Sequence, residues 1–162
     1  MSSTFTAVNP IIVGTKHIPE LRKNLPVAAS QTWKKGTPVI ITSGEVTICT
    51  DGDIPCGQAA DDITTAQTQG TDVGVILWNV GTRLEMYVYS GDTPTAAAAS
   101  QLGVAYDLRI LNSTTTAVGT IDVNATTDKV FRVIDLAYLY EPERNNAADT
   151  PGKVLVEVMK VA

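Results

Sequence analysis

A chain of 162 residues with 44% hydrophobic and 18% charged content fits one domain with a sizeable core and excludes disordered, coiled-coil or two-domain designs. Its net charge of −5 is uneven: residues 1–35 hold Lys16, Arg22, Lys23, Lys34 and Lys35 against Glu20, a balance of +4, and the remainder carries −9. Five dispersed cations beside an acidic body are not the dense basic stripe that phosphate backbones require, so no nucleic-acid partner is expected.

Val, Ile and Thr supply 52 of the 162 residues, and such χ1-restricted side chains suit pleated surfaces, so the predicted class is mainly β. Residues 1–24 read as an N-terminal arm and residues 25–162 as a single β-rich domain. The arm contains short apolar pieces, Phe5, Val8, Ile11, Ile12 and Val13, separated by Asn9-Pro10 and Gly14, without sustained alternation or helical spacing. Two readings stand for it: a segment ordered by an external surface, or one already packed along its own body. The first residues lack the charged start and apolar run of a secretory signal, and no stretch reaches membrane-span length. Folding in the cytoplasm with no membrane partner is therefore expected.

From Lys35 the pattern becomes regular. Pro38 suits a strand start, residues 39–42 lead into the Ser43-Gly44 turn, and residues 45–50 return as the partner strand of a hairpin. Cys49 and Cys56 face each other only if Gly52 and Asp53 form the loop between them; an Asp51-Gly52 loop leaves them apart. Reduced, buried thiols are expected in a reducing compartment. Residues 61–69 are polar and predict a loop or short helix. Residues 73–80 read as a buried strand and Gly81-Thr82 as a turn. The returning strand sets Leu84, Met86 and Val88 on one face and Glu85, Tyr87 and Tyr89 on the other. Tyr87 and Tyr89 either form a contact surface or pack beneath a loop.

Thr93-Pro94 followed by four alanines predicts a short helix ending before Gly103. Strands are then predicted over residues 104–111, 117–123, 129–140 and 153–161, the third long enough to bend or break. The last has apolar side chains on both faces, which predicts cover on both.

Motifs that carry chemistry are missing: there is no nucleophile elbow, phosphate loop, dinucleotide fingerprint or zinc-protease helix. His17 is the sole histidine and lies in the arm, and two cysteines do not complete a zinc site. Asp51 with Asp53, Asp61 with Asp62, and Asp122 with Asp128 are the carboxylate groupings, and turns select aspartate for local hydrogen bonding. No catalytic, metal or cofactor site is expected, and the chain is read as a non-enzyme.

Thr37-Pro38 with an apolar strand, a small turn, a second strand into Asp51-Gly52, Val73-Gly74-Val75-Ile76-Leu77, residues 84–89 and Ser90-Gly91 form an ordered set. That set, a little over a third of the chain, resembles the head decoration, or cement, proteins of tailed bacteriophages, particularly the lambda-type decoration proteins. The resemblance implies a compact β-barrel or β-sandwich-like (β-tulip-like) body with one or two short helices and an extended N-terminal arm. It implies a homo-oligomer, trimer favoured over dimer, on the outer surface of the capsid, with the major capsid protein as partner. Phe5, Val8, Ile11, Ile12 and Val13 are the expected anchors, Lys16, Arg22 and Lys23 the steering cations, and Trp33, Tyr87 and Tyr89 the aromatic contacts. The chain departs from the family pattern in its longer arm and its extra strands after Gly103. A receptor- or glycan-binding β module of a virion or tail is the alternative, and a carboxylate-dependent hydrolase stands third.

Overall fold

Two rings of strands share one molecule. The computed structural model describes residues 7–14, 21–111 and 117–162. Along the chain come β1 (Ile11–Gly14), β2 (Leu21–Pro26), β3 (Pro38–Thr42), β4 (Glu45–Ile48), β5 (Gly57–Ala59), β6 (Asp72–Leu77), β7 (Arg83–Ser90) and β8 (Thr93–Pro94). After a 3-10 turn at Ala99–Gln101 follow β9 (Ala105–Leu111), β10 (Val118–Asp122), β11 (Phe131–Leu136), the four-residue helix α1 (Ala137–Tyr140) and β12 (Lys153–Val158). The protein is mainly β, with a closed five-stranded barrel and little helix.

The first ring runs β2-β6-β5-β3-β4. It closes through a parallel bridge between Val27 and Val46, supported by the Ala28 N–H donating to the Val46 carbonyl at 3.0 Å. β3 and β4 form the hairpin expected from Ser43-Gly44, with Ile41 opposite Val46 and Val39 opposite Ile48. Val27, Trp33, Val39, Val46, Cys56, Ala59, Val73 and Val75 fill this ring.

The second ring passes β7-β10-β9-β11-β12 and returns to β7. β7 is its hub: Leu84, Met86 and Val88 are fully buried on alternate positions, as a period of two requires. β12 pairs along residues 83–87 of β7, whereas β10 joins it in parallel at Val88 and Tyr89. β1 adds to β7 antiparallel, with Ile11 opposite Glu85 and Ile12 opposite Leu84. Both faces of β12 are covered, as expected: Val154, Val156 and Val158 are fully buried on one, and Leu155 is half-buried and Glu157 buried on the other.

Two expectations change, and a third is met. β6 and β7 follow one another in sequence yet lie in different rings, because the turn between them is taken by β12. Gly81 donates to the Val158 carbonyl at 2.9 Å and Val158 to the Thr82 carbonyl at 2.8 Å. The predicted helix over 93–101 is reduced to its last three residues. Thr93 and Pro94 pair with β7 instead, the Thr95 N–H goes to the Val88 carbonyl and the Thr95 carbonyl accepts from Gly152, so the backbone is already committed. The long strand over 129–140 breaks, as its length led us to expect: a register shift between Val133 and Asp135 precedes the passage into α1.

The arm also has structure. β2 crosses the expected boundary between residues 24 and 25 and is a full barrel strand, paired with β6 from Leu21 opposite Leu77 to Pro26 opposite Asp72. Of the two readings of the arm, packing along its own body describes residues 7–14 and 21–24.

Candidate functional site

A carboxylate-dependent hydrolase needs two carboxylates free and convergent. Asp53 accepts from the Thr50 N–H at 2.7 Å and from the Thr50 hydroxyl at 3.0 Å, closing the turn whose corners are Asp51 and Gly52. Asp51 accepts from the Ile110 N–H at 2.8 Å and pairs with Arg109 at 2.7 Å; Asp92 holds the same guanidinium at 2.6 Å. The hydrogen bond that Arg109 donates to Asp92, helped by the charges of Asp51, Asp92 and Asp122, raises the Arg109 pKa despite partial desolvation. Asp107, which the sequence reading passed over, is buried and accepts the N–H groups of Thr127, Asp128 and Lys129. Asp122 receives Gly91 and Asn124, Asp61 pairs with Arg22, and Asp62 receives the Lys35 N–H. Such contacts hold turns and strand ends in place. Among the described residues, no three His, Cys, Asp or Glu side chains gather where a metal ion could bind.

A second polar cluster lies beside α1. Lys153 is held by Glu85 at 2.8 Å and Glu141 at 3.4 Å. Burial opposes its charge, but those two partners outweigh burial and raise its pKa. Burial raises the Tyr140 hydroxyl as well, with Glu85, Glu141 and Asp135 adding to the effect. The adjoining cavity, lined by Tyr87, Tyr138, Asn145 and Lys153 among others, has a volume of about 20 Å³. That is water-sized, which makes it a packing gap and not a substrate cleft.

The surface around β1 has a different character. Ile12 packs against the larger core, while Val8, Ile11 and Val13 are 47%, 52% and 47% exposed. β1 stands at the end of its strand order, with β7 its only partner among the described residues. Asn9 and Pro10, immediately before it, tie the two rings together. Asn9 Nδ2 donates to the Lys35 carbonyl at 3.3 Å and to Thr37 Oγ1 at 3.2 Å, both of the first ring. Asn9 Oδ1 accepts from the Gly119 N–H of β10 at 3.0 Å. Thr37 Oγ1 in turn donates to the Ala117 carbonyl at 3.0 Å. The Pro10 carbonyl accepts from Gln58 Nε2 at 3.2 Å, and Gln58 Oε1 accepts from Trp78 Nε1 at 3.0 Å. A Cβ at Gly119 would stand 2.3 Å from Pro38 Cγ, so only glycine admits this approach of the rings. Beside the joint runs an open groove of about 660 Å³, bounded by residues 7–12, by residues 34–36 and by Gln58, Ile76 and Val118.

The expected contact residues separate on this frame. Val8, Ile11 and Val13 are exposed, the last two on the outward side of β1, and Lys23 is exposed on β2. Ile12 faces inward, and Arg22 is engaged by Asp61 across Gly74. Trp33 is corrected from surface contact to core: it is 2% exposed inside the first ring, bridged by its backbone to Ile63. Tyr89 is buried at 8% exposure and Tyr87 half-buried beside the α1 cluster, so neither forms an aromatic patch. Phe5 and Lys16 lie outside the described residues. Sequence reasoning passed over the groove residues Gln58, Ile76 and Val118, whose spacing in the chain gives no sign that they meet. Lys34 and Lys35 were legible only as charge.

No protein-family model matches the chain, and neither does any curated protein sequence or solved structure. The described residues contain no helix long and apolar enough to cross a membrane.

Proposed function

We propose that this protein is a decoration, or cement, protein of a bacteriophage head, seated on the outer surface of the shell and bracing major capsid subunits. The observation that carries this reading is the exposure of Ile11 and Val13 on β1, a strand anchored to a two-ring body, with Val8 exposed just before it. Apolar residues held out on a fixed strand lose little conformational freedom on docking, so their burial goes into binding. Lys23 and the neighbouring Lys34 and Lys35 add exposed positive charge on a chain that is otherwise acidic, which favours encounter with acidic shell surface. The carboxylates committed to turns, strand ends and Arg109 fit a scaffold better than a hydrolase.

A standard interface of about 800 Å² per partner gives modest affinity by itself. A homo-oligomer, with a trimer favoured, gains roughly 10² to 10⁴ in avidity when all its contacts engage together. In this reading the protein resists separation of the subunits it spans without changing their chemistry. Co-sedimentation of the purified protein with expanded, DNA-free heads built from the cognate shell protein tests it. Saturable, stoichiometric binding that raises the temperature of head disruption is expected. Absence of head binding together with binding to host cell-surface material would replace this reading with a receptor-binding module.

A further inference from the structure

The groove beside the inter-ring joint combines an apolar lining with unspent positive charge. Ile76 and Val118 from the two rings and Ile12 from β1 are half-buried there, and Val8 is exposed at its edge. Its charged lining residues are Lys34 and Lys35, both exposed; no carboxylate lines it among the described residues. Neither lysine side chain forms an ion pair or hydrogen bond with a described residue, whereas Arg22, Arg109, Arg132 and Lys153 are all paired. In a chain of net charge −5, this is an apolar groove whose charged lining residues are both cationic, with Asp62 beside it on the Lys35 N–H.

We infer that the groove is a docking site for an extended apolar segment of a protein partner that carries carboxylates, with Lys34 and Lys35 as their counter-charges. This rests on the reading that the chain works by binding another protein, the partner segment then belonging to the shell subunit. A volume of about 660 Å³ lies within the range of ligand-sized sites. The groove's polar neighbours are already satisfied: Asn9 and Gln58 spend their amides on the joint. Affinity then comes from apolar burial, and selectivity from the two lysines.

Two acetylated, amidated octapeptides serve as probes, one alternating Val and Glu, the other Val and Lys, added to the full chain and followed by amide chemical shifts. The Glu peptide is expected to bind with shifts at Val8, Ile76 and Val118, and to weaken about tenfold in Lys34→Glu/Lys35→Glu and at high salt. The Lys peptide is expected not to bind. Equal binding of both peptides, binding of neither, shifts mapping elsewhere, or binding of decanoate but not of the Glu peptide overturns the inference. Lys34→Ala/Lys35→Ala, which only removes exposed charge, repeats the measurement should the reversal variant be poorly folded. With heads as partner the outcomes separate. Undiminished head binding by the reversal variant refutes the groove and leaves the cement reading standing; Glu-peptide binding without head binding refutes the cement reading and leaves the groove.

Discussion

Asn9 illustrates how one short polar side chain can organise surfaces that apolar packing alone would leave sliding. Its amide meets acceptors of the first ring and a donor of the second, a geometry that no aliphatic residue can reproduce. Trp33 makes the opposite case, since an aromatic in a basic stretch invites a contact role, yet its ring fills the first core. Trp33→Ala is expected to cost about 3–5 kcal/mol, measured by chemical denaturation; a loss of head binding with unchanged stability would return Trp33 to the interface. The cysteines set a pH limit. Burial raises Cys49 above its ordinary 9.0, with Asp53 and Cys56 adding, and burial raises Cys56 as well. Both are unbridged. A thiol whose folded pKa is raised gives stability that is complete below the unfolded value and lost as pH rises toward the folded one. Melting temperature should therefore hold up to pH 8.5 and fall above about pH 9. In Cys49→Ala the alkaline decline should be shallower by up to roughly 1.4 kcal/mol per pH unit; identical slopes would refute the assignment.

At the scale of elements, β1 carries two kinds of residue in alternation. Ile12 turns toward the larger core, and Ile11 and Val13 turn away from it. Val13→Asp is expected to change stability by no more than about 0.5 kcal/mol while lowering head occupancy. Ile12→Asp should destabilise by more than about 2 kcal/mol, because it places a charge against apolar neighbours. Paired denaturation and co-sedimentation of the two variants separate folding from binding. The sequence showed the apolar pieces of this strand but not its alternation, because the strand is only four residues long and ends at Gly14. The β3–β4 hairpin was legible because its turn and strands are adjacent and both carry local signals. The helix over 93–101 misled for a different reason: a competing local hairpin with β7 takes Thr93 and Pro94, and Gly152, distant in sequence, claims the Thr95 carbonyl.

Across the whole molecule, the two rings share packing residues and are expected to unfold as one cooperative unit. Cys49 and Trp78, which flank first-ring strands, belong to the larger core, and Ile48 packs against both cores. Trp33 sits in one core and Trp78 in the other, where its ring meets Phe131 edge-on at 6.0 Å. Trp78→Phe and Trp33→Phe thus leave one fluorescent reporter per ring. Within each variant the fluorescence and circular-dichroism transitions are expected to coincide in denaturant, and a fluorescence transition separated from the circular-dichroism one would mean that the rings unfold independently. The sequence by itself determined the β class, most strand positions, the first hairpin and the scarcity of recognisable catalytic motifs, all of which follow from composition and short-range periodicity. Only the tertiary structure decided that β6 and β7 part company, that Trp33 is core, that residues 11–14 and 21–26 are strands of the body, and that Lys34 and Lys35 border an apolar groove. Those outcomes depend on backbone groups and side chains brought together from distant positions, which a local pattern cannot encode.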